Sequence, residues 1–155
     1  MPPIPLRPEL QALIDQGIVI LESADVSLAF NAYLIESYEW FTSRIDWSEM
    51  SDRVSFPNVG QISNYEIMLF LKITRLHPYR FFGVFNSVYR PIQIVDAATL
   101  EAHFDTLNYM NTSFILGIEK QTNGEFVFHF EDFVEYRGGT ITGRQHIPPE
   151  TTTDP

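Results

Sequence analysis

The stretch that decides the fold reads Ser113-Phe114-Ile115-Leu116-Gly117-Ile118-Glu119, then Lys120-Gln121-Thr122-Asn123-Gly124, then Glu125-Phe126-Val127-Phe128-His129-Phe130. Two apolar runs of strand length flank a short loop with an Asn-Gly tip, which is the pattern of a β-hairpin. In the second run Phe126, Phe128 and Phe130 alternate with Glu125, Val127, His129 and Glu131. A period of two turns the phenylalanines toward a core and the carboxylates and imidazole toward the opposite face. Downstream, Gly138-Gly139 reverses Val134-Glu135-Tyr136-Arg137 into Thr140-Ile141-Thr142. Upstream, Phe81–Phe85 and Ile92–Val95 also read as strands, with Pro91 limiting pairing at its own position. Asp96 is placed to cap a helix from Ala97 to Leu107 between them and the hairpin.

The first half of the chain has helical spacing instead. Pro8 suits a first helical position, Leu10, Leu13 and Ile14 form a stripe, and Gly17 suits the residue just past the end. A long helix is expected from a cap at Asp25 to about Ser43. Val26, Phe30, Tyr33, Leu34 and Phe41 share one arc of it, while Leu28 and Ile35 lie on a second flank. Ser63-Asn64-Tyr65-Glu66 fits a capping box, with Ile62 and Ile67 placed for a hydrophobic staple. That helix should run to Leu76 and stop before Pro78. Helices first and an antiparallel meander after them give an α+β class, N-terminal helices packed on a C-terminal β-meander.

A length of 155 residues suits one domain. The expected organisation is a proline-rich extension over 1–7, a single domain over 8–147 and a disordered tail over 148–155. No cysteine is present, which removes disulfides, thiolate metal sites and cysteine nucleophiles. Met1 to Pro8 lack a charged segment followed by an apolar one, and no apolar run approaches the roughly 20 residues a bilayer needs. A cytoplasmic location without membrane contact is expected. Acids outnumber bases 20 to 10, which argues against a phosphate-backbone binder, so no nucleic-acid partner is expected.

Charge is unevenly spread. Ile67 to Val95 holds four bases, Lys72, Arg75, Arg80 and Arg90, and no acid. Asp96 to Tyr136 holds eight acids against Lys120 alone, and Pro8 to Asp52 holds nine against Arg44. Such segments steer a basic protein partner into place, with Glu119, Glu125, His129, Glu131 and Glu135 as the expected contacts. Lys72, Arg75, Arg80 and Arg90 would bridge to acidic segments within the domain or across a homodimer, or else bind an anionic ligand. Leu28 and Ile35 would serve a homodimer contact.

Asp132 interrupts the alternation. An unbroken strand would carry it inward between Phe130 and Tyr136 and turn Phe133 outward, making Asp132 the candidate catalytic group of a pocket. A bulge or turn at Glu131-Asp132 would instead reset the pattern. One histidine with flanking glutamates lacks a recognised ligand spacing, so neither metal nor cofactor is expected. The leading reading is a non-catalytic acidic binding protein, of inhibitor, immunity or adaptor type by analogy of charge and size. The alternatives are a pocket protein, an enzyme or ligand carrier of nuclear-transport-factor-like architecture using Asp132, and a homodimeric scaffold.

Overall fold

The computed structural model describes residues 7–41, 44–48, 50–56, 71–88, 90–108, 112–137 and 140–145. The expected extension (bar Arg7), the tail, the Ser63–Glu66 capping box and the Gly138-Gly139 turn lie outside the described residues. The described residues include the helices α1 (Pro8–Asp15), α2 (Ala24–Ser37) and α3 (Ala97–Leu107), besides a helical turn at 71–73. The strands are β1 (Ile20–Leu21), β2 (Trp40–Phe41), β3 (Arg44–Ile45), β4 (Arg53–Phe56), β5 (Phe81–Phe85), β6 (Gln93–Asp96), β7 (Thr112–Lys120), β8 (Phe126–Arg137) and β9 (Thr140–Arg144). Seven of them form one sheet in the order β1-β6-β5-β7-β8-β9-β4, while β2 and β3 pair separately. Every pairing is antiparallel. The α+β class is therefore as the sequence predicts.

Both faces of the sheet are covered, because alternate residues of each strand point to opposite sides. On one face Phe82, Val84, Ile115, Val134 and Tyr136 bury against Leu10 and Leu13 of α1 and Leu100 and Phe104 of α3. On the other, Phe85, Phe114, Leu116 and Phe133 bury against Phe30 and Leu34 of α2, with Ile45 and Trp47. The second core is largely aromatic, and Phe133 sits 5.3–6.0 Å, ring centre to ring centre, from Tyr38, Trp47, Phe114 and Phe30.

The helix over Ala97–Leu107 forms as expected, and the Asp96 carboxylate accepts from the Thr99 amide at 2.9 Å. Two other helices end sooner than their stripes suggest. α2 stops at Ser37 rather than near Ser43, since Tyr38 is extended and Trp40–Phe41 fold back onto Arg44–Ile45. The Trp40 indole N–H donates to the Leu34 carbonyl at 3.2 Å, a second bond to an acceptor that the Tyr38 amide already reaches. Before Pro78, the described helical turn is 71–73. It ends short of Leu76 because Thr74 bridges to Gln145 and the Arg75 amide donates to the Arg144 carbonyl.

The decisive irregularity lies in β8. Leu116 pairs with Phe133, yet its neighbour Gly117 pairs with His129. Phe130, Glu131 and Asp132 are thus extra on β8, a bulge that resets the alternation. Phe133 turns inward, not outward, and Asp132 leaves the phenylalanine row.

Candidate functional site

The bulge brings together side chains that an unbroken strand would separate. His129 shares the face of its partner Gly117, and the ring of Tyr79 lies on that glycine. A Cβ at residue 117 would fall 2.5 Å from the Tyr79 ring, so only glycine leaves room. The Tyr79 hydroxyl donates to the Asp132 carboxylate at 2.5 Å. Its ring centre is 5.2 Å from that of His129. Burial first, then the bond to Asp132 and the charges of Asp132, Glu131 and Glu119, raise the Tyr79 phenol well above its ordinary value. Tyr79 is therefore a neutral donor, not a phenolate.

Two carboxylates flank His129. Its Nε2 is 3.2 Å from Glu119 Oε1, and its Nδ1 is 3.7 Å from Glu131 Oε2. The two glutamate side chains are 62% and 57% exposed, so they remain open to a partner. Glu125, at the closing end of the β7–β8 hairpin, is exposed as well. Beside them lies a cleft of about 590 Å³ lined by Tyr79, Arg80, Phe81, Glu119, Lys120 and His129, among others. Arg80 and Lys120 add positive charge to an otherwise acidic neighbourhood. Among the described residues no group of three histidine or carboxylate side chains is arranged to hold a metal ion.

Glu135 does not belong to this group. It is only 4% exposed, and its Oε1 accepts from the Trp47 indole N–H at 2.7 Å beneath the aromatic core. The bulge moves it inward with Phe133, correcting the expectation that Glu135 faces a partner. Asp132 is half-buried and held by Tyr79, and it is not among the residues that line the cleft. This differs from the inward pocket carboxylate of the unbroken strand.

The four bases disperse. Lys72 is exposed. Arg75 lies 3.5 Å from Asp52, which also accepts from Arg144 Nε at 2.9 Å. Arg80 rims the cleft. Arg90 is buried, and its carbonyl accepts from Ser27 Oγ, so its side chain is enclosed within the fold rather than presented to an anion in solvent. Leu28 and Ile35 are both exposed on α2. Sequence reasoning passed over Tyr79 and Trp47, since nothing local links Tyr79 to Asp132 or Trp47 to Glu135.

A second, smaller depression lies between Tyr33, Tyr38, Glu39, Asp46 and Arg144. Burial and then the neighbouring Tyr38 raise the Tyr33 phenol to about 12. Among the described residues no helix is long and apolar enough to cross a membrane. Compared with protein families, with curated proteins and with solved structures, the chain has no match.

Proposed function

We propose that this chain is a non-catalytic binding protein, of inhibitor, immunity or adaptor type, that docks a basic protein. Contact is made through Glu119, Glu125 and Glu131 around His129, at the outer end of the β7–β8 hairpin. The observation that carries this reading is the pair of open carboxylates on either side of one imidazole, next to a cleft. Exposed carboxylates clustered on one hairpin accelerate encounter with a positive surface. Tyr79, kept neutral and fixed on Gly117, stiffens the floor beneath them.

The test uses the immobilised chain in a low-salt native lysate, eluted by a salt gradient, beside a Glu119→Gln/Glu131→Gln variant. A basic protein released at moderate salt is expected from the native chain and not from the variant. Its association rate should fall by about tenfold or more as salt screens the approach, with a smaller change in dissociation. Capture indifferent to salt and to both substitutions would overturn the reading.

Exposed Leu28 and Ile35 favour a second reading, a homodimeric scaffold. Light scattering decides it: a dimer that survives Leu28→Asp rules that interface out.

A further inference from the structure

The acidic cleft has an apolar neighbour. Ile18 and Ile20 are 38% and 46% exposed at the β1 edge of the sheet. They border a depression of about 290 Å³ that Phe81, Ile94, Lys120 and Phe126 also line. Phe81 and Phe126 meet edge to face with centroids 5.9 Å apart. The Lys120 ammonium lies 5.8 and 5.9 Å from the two ring centres. Phe81 and Lys120 line both this depression and the acidic cleft, so the two adjoin at these residues around the hairpin edge.

The strand register explains the arrangement. Phe81 pairs with Ile118, which pairs with Phe128, while Lys120 pairs with Phe126. These residues take one face of the hairpin, and Glu119 and His129 take the other. α2 covers the apolar face near Phe30 and Phe130, whereas Ile18 and Ile20 stay open. An apolar patch rimmed by charge is the anatomy of a protein-docking surface. The charges here are Asp96 and Lys120 beside the patch and Glu119 and Arg80 in the adjoining cleft, with exposed Glu125 at the hairpin end.

We infer that the patch and the carboxylates form one surface for an amphipathic, basic segment of another protein. Its apolar side chains seat over Ile18, Ile20 and Phe126, and its lysines or arginines reach round the hairpin to Glu119 and Glu125. This rests on the docking reading above and adds the chemistry of the partner. Lys120 sits between the two halves, so it repels a cation placed directly over the rings and sets where the partner's charges fall.

Two fluorescent probes of equal length and charge test it: an amphipathic leucine–lysine peptide and a glycine–lysine peptide, both read by anisotropy at low salt. The leucine–lysine peptide is expected to bind about tenfold more tightly, the factor that burial of one large apolar side chain supplies. Ile18→Ser and Ile20→Ser should each remove most of that advantage and leave the glycine–lysine peptide unchanged. Both side chains are exposed, so each variant retains the fold, which circular dichroism checks. Lys120→Met should strengthen both peptides. Equal affinity for the two peptides, or indifference to both serine variants, would overturn the apolar anchor. If the peptides still weaken with Glu119→Gln/Glu131→Gln, the docking reading stands without it. If they do not, that reading fails too. A dimer that Ile20→Ser dissociates would give the patch to a second copy of the chain and overturn the inference.

Discussion

The outer half of β8, Phe126 to Phe130, and its inner half, Phe133 to Arg137, are both rich in aromatic residues. The inner half pairs with β7 on one side and β9 on the other, and Phe133, Val134, Glu135 and Tyr136 are all buried. The outer half pairs with β7, and its residues are half-exposed. Glu131 follows the outer half and Glu135 lies within the inner one, yet Glu131 reaches solvent beside His129 while Glu135 is enclosed under Trp47. Position relative to the Phe130–Asp132 bulge, not residue type, decides whether a side chain is structural or available to a partner.

Truncation should separate the halves most strongly. Phe133→Ala removes a ring packed against four others and should cost about 3–5 kcal/mol, whereas half-exposed Phe126→Ala should cost about 1 kcal/mol. Urea denaturation measures both, and equal costs would erase the distinction. The glutamates sharpen it without a change of residue type. Glu135→Ala leaves the buried Trp47 N–H without its acceptor and should cost about 1–3 kcal/mol, against no more than about 0.5 kcal/mol for exposed Glu131→Ala.

Gly117→Ala attacks the junction itself. The added methyl displaces the Tyr79 ring, at about 1–3 kcal/mol for overpacking, and pulls its hydroxyl from Asp132. Spectrophotometric titration should then show a phenol returning toward its ordinary value near 10.

The smallest expected effect is a pH dependence. Below pH ~10 the Tyr33 and Tyr79 phenols are neutral in both folded and unfolded chains, so their full stabilising contribution is present. Above it the unfolded chain releases protons that the fold retains, and stability falls as pH rises until Tyr33 titrates at about 12. The urea midpoint should decline in that window for the native chain and decline less for Tyr33→Phe/Tyr79→Phe. A midpoint that rises there would contradict the raised phenols.

Much of the architecture was legible from local pattern. The hairpin around Asn123-Gly124, the Asp96 cap and the helix over Ala97–Leu107 all follow from residues adjacent in sequence. The early end of α2 was not, because it depends on Trp40 folding back onto Leu34 and on a hairpin with no distinctive turn residue. The bulge was visible only as one of two readings of Asp132. Choosing between them needs Tyr79, 53 positions away, whose ring occupies the space that Gly117 leaves and whose hydroxyl fixes Asp132. Glu125, His129 and Glu131 could be read as one face from alternation alone, whereas Glu119 joins them through the β7–β8 register. The burial of Glu135 could not, since it follows from the register shift.

Carbodiimide coupling of an amine to the carboxylates, read residue by residue by mass spectrometry, tests the central claim most directly. In the free protein Glu119, Glu125 and Glu131 should label rapidly and Glu135 should stay unlabelled. With the captured basic partner bound, those three should become protected, while Glu22, Glu36 and Glu39 keep their free rates. Protection confined to Glu22, Glu36 and Glu39, with Glu119, Glu125 and Glu131 unchanged, would contradict docking at the outer half of β8.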